Sequence, residues 1–327
     1  METEPYLDPE LAAALAARGG VPAPLTPGGL AAWQRRDAER RPRPTLDRLA
    51  DGGRFETAEH DADGVAVVSG RPAEADGVLP ALLYLHGGGL IGGNAYAVLP
   101  RVLRELAEPL GLTVLSVEYP LAPAARYPAP LHACRTALRW AAAHAGRLRI
   151  DPDRIVLAGK SAGGGLAAAL ALLLRDRGGP APYGQLLLSP MLDDRGTTSS
   201  TRQAAGRDTW DATSNATAWQ AALGPLHRAP DLPPYAAPAR AHDLSGLPPA
   251  YLEVGSAETF RDEVTAYADA LWRAGGHVEL HVWPGALHGF DTLAPDAAVT
   301  RTAVATRRNW LRRLLGQGTR GLTPLGR

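Results

Sequence analysis

Residues 155–174 read IVLAGKSAGGGLAAALALLL. An apolar run, Ile155-Val156-Leu157-Ala158, stops at Gly159. Lys160, Ser161, Ala162 and three glycines follow, and an Ala/Leu run then continues to Leu174. The first piece has the composition and length of a buried strand, the last those of a buried helix. The chain must reverse between them within a few residues. Small residues are needed there, because strand and helix pack closely and the turning residue is strained. That is the geometry of Gly-x-Ser-x-Gly, here Gly159-Lys160-Ser161-Ala162-Gly163, which lifts one serine hydroxyl out of a rigid sheet to a helix N-terminus. A serine in this place can also simply cap the helix, and the pattern arises by chance. A nucleophile needs three more parts elsewhere in the chain: a base, an acid and an oxyanion site.

Around this stretch, strands and helices alternate. Strands are predicted at 81–85, 112–117, 155–158, 185–188, 250–254 and 278–283, and helices at 99–108, 131–144, 262–274 and 297–315. Residues 54–60 and 65–69 flank Asp61-Ala62-Asp63-Gly64 as a hairpin, and 73–77 read as a loop. Two helices precede any strand: 8–18, capped by Asp8, and 26–40, with Thr26 as cap and Pro27 in the first turn. The βαβ rhythm predicts an α/β fold with a mostly parallel sheet covered on both faces. Residues 1–50 and the Pro-rich region 192–249 fall outside it, with 208–223 irregular and then helical. Insertions at the carboxyl edge of a sheet commonly form a lid or pocket. Trp33, Trp210 and Trp219 lie in these two parts. They either line an apolar site or pack the inserted helices onto the body.

The remaining parts of a serine site have candidates. The strand ending Leu83-Tyr84-Leu85 runs into His86-Gly87-Gly88-Gly89. Consecutive glycines let backbone N–H groups approach a ligand, and each donor aimed at a developing oxyanion is worth about 10²–10³ in rate. The backbone N–H groups of Gly88, Gly89 and Ala162 are the candidate donors. No Gly-Lys-Ser/Thr or Gly-x-Gly-x-x-Gly supports a phosphate loop instead. His86, at a strand end, reads as orienting the loop rather than as a base. Of nine histidines, His288, in Trp283-Pro284-Gly285-Ala286-Leu287-His288-Gly289-Phe290, lies just past the last predicted strand, at the same sheet edge as Ser161. His277 and His281 belong to that strand, and the others have no motif. For an acid between Ser161 and His288, Glu258 is the first carboxylate beyond the strand ending at Val254. Asp262 is the rival, and both Asp262 and Glu263 read as helix-start carboxylates.

Bulk properties exclude other classes. The chain has 327 residues, enough for one large α/β domain. Lys+Arg and Asp+Glu are both 34, so no charge imbalance points to nucleic acid or an anionic membrane. The single cysteine, Cys134, excludes an internal disulfide and a cysteine metal cluster, and its helical setting predicts a buried thiol. Met1-Glu2-Thr3-Glu4-Pro5 is acidic with no signal-peptide core, and apolar runs are too short to span a bilayer. A cytoplasmic protein without stable membrane association is the expectation. Neutral net charge and an exposed final strand leave a homodimer open.

Taken together, His86-Gly87-Gly88-Gly89 and Gly159-Lys160-Ser161-Ala162-Gly163-Gly164 resemble the bacterial hormone-sensitive-lipase-like esterases of the α/β-hydrolase fold. Glu118-Tyr119-Pro120-Leu121-Ala122-Pro123 is similar to the family's Asp-Tyr-Arg-Leu-Ala-Pro. The stretch Asp243-Leu244-Ser245-Gly246-Leu247-Pro248-Pro249, the run Phe260-Arg261-Asp262-Glu263 and His288-Gly289-Phe290 also match. The likeness runs over residues 80–292 and more weakly through the N-terminal helices. It implies hydrolysis of carboxylic esters of short or medium acyl chains, with no cofactor or metal. It implies a triad of Ser161, Glu258 and His288, with oxyanion donors Gly88, Gly89 and Ala162. It also implies an organisation of cap helices 1–50, core 51–191, inserted cap 192–249 and core 250–327. Three departures stand out. Glu258 occupies a place usually held by Asp. Lys160 puts a cation where an acidic residue is commoner. Pro120 and Ala124 replace an Arg and a Glu that would form a local ion pair. An amide or N-formyl amide hydrolase, an acyltransferase and a small-molecule-binding protein remain as competing readings.

Overall fold

A computed structural model describes residues 5–316. Among these, eight strands form one sheet: β1 (Phe55–Ala62), β2 (Val65–Pro72), β3 (Leu79–Leu85), β4 (Thr113–Val117), β5 (Ile150–Lys160), β6 (Gly184–Leu188), β7 (Ala250–Gly255) and β8 (Val278–Trp283). Their order across the sheet is β1-β2-β4-β3-β5-β6-β7-β8. The first two are an antiparallel hairpin, β2 meets β4 antiparallel, and every later pairing is parallel. The hairpin turns at Asp63 and Gly64, both at positive φ (52° and 86°), which is the two-residue turn whose twist matches that of the strands.

The inner strands are mostly apolar because both faces are covered. Leu83, Leu85 and Leu157 pack with the helices Ala129–Ala143 and Ala162–Arg177. Their neighbours Leu82, Tyr84 and Val156 point the other way, toward the helices Ala95–Val102 and Ala298–Gly316. This is the two-residue alternation of a pleated strand. The α/β-hydrolase arrangement with a mostly parallel sheet is therefore as expected. Cys134 is buried and free. No helix among the described residues is long and apolar enough to cross a membrane.

Element boundaries differ where the capping group is hard to see. The helix expected from 99 starts at Ala95, because the Asn94 side chain accepts the Ala97 N–H at 2.8 Å. It then widens into a turn over Leu103–Ala107. Thr26 makes no capping hydrogen bond; Pro27–Gly29 form a tight turn and the α-helix runs over Leu30–Arg40. Asp8 does cap Pro9–Ala17, accepting from Glu10 and Leu11. The short helices Ser199–Gln203 and Phe290–Leu293 have too few residues to show a period.

The two segments outside the rhythm touch each other. The Leu25 N–H donates to Ser214 Oγ at 2.9 Å, and the Thr217 hydroxyl donates to the Leu25 carbonyl at 2.8 Å. Trp33 and Trp210 meet edge to face, with centroids 6.3 Å apart. Gln34 Nε2 donates to the carbonyls of Ile91 and Ala122, and Asp37 Oδ2 accepts the Gly93 N–H. The N-terminal helices are thus fastened to the glycine loop after β3 as well as to the insertion.

Candidate active site

The turn after β5 is as tight as its composition requires. A Cβ on Gly163 would come within 2.0 Å of the Leu85 carbonyl oxygen, and one on Gly159 within 2.3 Å of the Gly163 oxygen. Ser161 sits between them at φ 57°, ψ −122°, a region that non-glycine residues occupy only under constraint. Its backbone supplies that constraint. The N–H donates to the Leu188 carbonyl at 2.8 Å, and the carbonyl accepts from Gly165 and Met191 at 3.0 Å each. The side chain makes no capping bond to the helix Ala162–Arg177. The hydroxyl faces His288 instead.

His288 lies in the loop after β8, with Nε2 3.0 Å from Ser161 Oγ. Its Nδ1 is 3.0 Å from Glu258 Oε1. The second Glu258 oxygen accepts from the Ser189 hydroxyl (2.9 Å) and the Gly255 N–H (2.8 Å), so both oxygens are held. Phe260 places its ring edge-on to the imidazole, with centroids 5.0 Å apart. Ser161, Glu258 and His288 are all buried. Asp262 lies elsewhere. It accepts the Ser200 N–H at 2.7 Å and pairs with Arg261, which hold its carboxyl below the usual range against the opposing effect of burial.

Beside the hydroxyl runs the glycine loop. Among the described residues, none accepts a hydrogen bond from the N–H groups of Gly88, Gly89 or Ala162. A Cβ on Gly88 (φ 129°) would overlap the Gly92 oxygen at 2.1 Å, and one on Gly89 (φ 63°) the Trp210 ring at 2.6 Å. The loop is therefore compatible only with glycine and is lidded by an indole. His86 is fully buried, stacks on Tyr119 with centroids 4.1 Å apart, and makes an Nδ1 contact with the Gly87 carbonyl at 2.9 Å. Burial pushes its pKa down to about 4, and the Tyr119 hydroxyl donates to its carbonyl at 2.5 Å. It serves the loop, as its place at a strand end suggested. A small apolar cavity begins at Ala162 and Gly165 and is lined further by Leu131, Met191, Trp219 and Leu223. Of the three tryptophans, Trp219 lines this cavity, whereas Trp33 and Trp210 pack against the glycine loop.

Two arrangements had no counterpart in the sequence reading. Lys160 adjoins Ser161 in the chain, but its ammonium group turns away, to the Asp291 carboxylate and the Thr292 hydroxyl. The expected cation beside the nucleophile is therefore spent in an ion pair. Asp208, from the insertion, is buried against both His288 and Glu258. It accepts the His288 N–H at 2.9 Å, and burial raises its carboxyl to about 6. No spacing rule ties residue 208 to residue 288. Among the described residues, no group of three or more His, Cys, Asp or Glu side chains is placed to hold a metal ion.

A buried hydroxyl, imidazole and carboxylate in series, next to unpaired N–H groups, can move a proton off oxygen and hold a new negative charge. A family model described as alpha/beta hydrolase fold matches residues 82–292. Over 235 residues the chain is 39% identical to a carboxylesterase, NlhH, of Mycobacterium tuberculosis, covering 70% of this chain and 72% of that one. It is 34% identical over 256 residues to an acetyl-hydrolase of Streptomyces hygroscopicus, covering 76% and 80%. A solved structure titled as a bacterial heroin esterase superposes with a TM-score of 0.84 at 37% identity, covering 95% of this chain and 98% of that one. The chain belongs to the α/β-hydrolase family, among its hormone-sensitive-lipase-like esterases.

Proposed function

We propose that the protein hydrolyses carboxylic esters of short to medium acyl chains, with Ser161, His288 and Glu258 as its catalytic triad. The observation that carries this reading is the unbroken series from Ser161 Oγ to His288 Nε2 and from His288 Nδ1 to Glu258 Oε1. Glu258 accepts the Nδ1–H and so leaves Nε2 as the free acceptor. His288 takes the Ser161 proton as the oxygen attacks the ester carbonyl. The N–H groups of Gly88, Gly89 and Ala162 stabilise the oxyanion. His288 returns the proton to the departing alcohol, leaving an acyl-serine. Water, deprotonated by the same imidazole, then releases the acid and regenerates the hydroxyl.

The acyl-chain preference rests on the small apolar cavity lined by Leu131, Trp219 and Leu223 beside Ala162. In this reading, residues 1–50 and 192–249 act together as the cap over the site, which their mutual contacts support. The test is an acyl-chain series of p-nitrophenyl esters run beside an amide panel, with wild type and Ser161→Ala. Ester turnover that peaks at short chains and vanishes in Ser161→Ala is expected. Undiminished turnover in Ser161→Ala, or amide turnover exceeding ester turnover, overturns the proposal.

A further inference from the structure

Asp208, Thr209 and Trp210 are consecutive residues of the insertion, yet they touch His288, the residue after Glu258 and the glycine loop. Asp208 Oδ1 accepts the His288 N–H at 2.9 Å. Its Oδ2 accepts the Thr259 N–H at 2.9 Å and faces the Thr259 hydroxyl at 3.2 Å. That hydroxyl donates more closely to the Trp210 carbonyl, at 2.6 Å. The Thr209 hydroxyl donates to the His288 carbonyl. Trp210 itself packs on Gly89. Both backbone groups of the histidine are therefore gripped by two residues about 80 positions earlier, and the residue following Glu258 is gripped by the same tripeptide.

This placement does more than pin an insertion to the body. The imidazole is bonded at both ring nitrogens, so its remaining freedom is the position of its own backbone. A displacement of about 1 Å at a reacting group can cost about 10²-fold in rate. Asp208 is 1% exposed, and a carboxylate that deep is tolerated only when its oxygens are met by donors, as they are here.

We propose that Asp208 and Thr209 are positioning residues: from the inserted segment they clamp the backbone of His288 and thereby set the reach of its imidazole to Ser161. The inference rests on the esterase reading given above. It makes the wall of the site and the alignment of the base parts of one piece, so that a shift of the insertion is felt as a loss of turnover.

The experiment uses the full chain with Thr209→Val, Thr209→Ser and Asp208→Asn. Sites are counted by complete reaction with a p-nitrophenyl phosphonate, and kcat and KM are measured on p-nitrophenyl acetate, with thermal melting alongside. Val keeps the shape of Thr without the donor; Ser keeps the donor. Thr209→Val is expected to lower kcat per titrated site about tenfold, with KM within about twofold, while Thr209→Ser stays near wild type. Asp208→Asn places an amide N–H against a backbone N–H and is expected to lower kcat by about 10²-fold. Wild-type kcat per site in Thr209→Val overturns the inference, even if its melting temperature falls. Should Asp208→Asn not fold, the Thr209 pair decides alone. Absence of phosphonate on Ser161 in the wild type overturns the esterase reading itself, a separate result.

Discussion

At the scale of single residues, the choice of acid turns on which way one loop faces. Glu258 and Asp262 lie four residues apart, and the sequence offers both. The Gly255 N–H and the Ser189 hydroxyl draw Glu258 inward, while Ser200 and Arg261 hold Asp262 at the edge. Glu258→Ala is therefore expected to lower kcat by about 10³–10⁴-fold, and Asp262→Ala by less than about threefold, both measured on a short p-nitrophenyl ester. The reverse ranking would move the acid to Asp262. The meeting of Ser161 and His288 was legible because each follows the end of a strand, and strand ends in a parallel sheet share an edge. Asp208 was not legible. It comes from an insertion with no period, and nothing but tertiary packing brings it to residue 288.

At the scale of elements, the loop that carries His288 is moored by buried charges. Asp291, in the short helix Phe290–Leu293, pairs with Lys160 at the end of β5, with Arg101 at 3.4 Å and with Arg307 at 3.0 Å. Arg307, from Ala298–Gly316, also binds Glu253 in β7, whose carboxylate accepts from Tyr251 (3.0 Å) and Trp283 (3.2 Å) as well. Burial opposes ionisation of Asp291, but its three cations outweigh it and hold the carboxyl well below the usual range. Asp291→Asn leaves Lys160 without an anionic partner and takes one of two from Arg101, which keeps Glu105, and from Arg307, which keeps Glu253. It is expected to destabilise by about 3–5 kcal/mol in urea unfolding at pH 7, and Lys160→Met by less, since one cation of three is removed. A carboxyl with a depressed pKa contributes stability above its unfolded value and loses it only as pH falls through the folded one. The gap between wild type and Asp291→Asn should therefore be unchanged from pH 7 to pH 5. A gap that closes by pH 5 would deny Asp291 this role. Sequence reading found the strands because continuous apolar runs are their signature. It lost the direction of Lys160, because adjacency in the chain says nothing about which side of the sheet edge a side chain takes after such a sharp turn.

At the scale of the molecule, both segments outside the alternating pattern converge over the glycine loop. A Cβ on Gly92 would come within 2.6 Å of the Trp33 ring, and Trp33 in turn meets Trp210. Aromatic pairs contribute about 0.5–1.5 kcal/mol beyond the area they bury. Trp33 braces the glycine loop rather than the apolar cavity, so Trp33→Ala is expected to lower kcat about equally on acetate and hexanoate esters. A loss that grows with acyl length would instead place Trp33 against the acyl chain. That the two segments lie outside the sheet could be read from composition. Their joining contacts, a backbone at Leu25 and hydroxyls at Ser214 and Thr217, leave no such trace. The order of the strands carries one more consequence. The turn that strains Ser161 is packed between the ends of β3, β5 and β6, whereas the imidazole that meets its hydroxyl follows β8, 127 residues later. During synthesis every residue of that corner is thus made well before the imidazole that meets its hydroxyl, and the pairing of the two waits on the last strand.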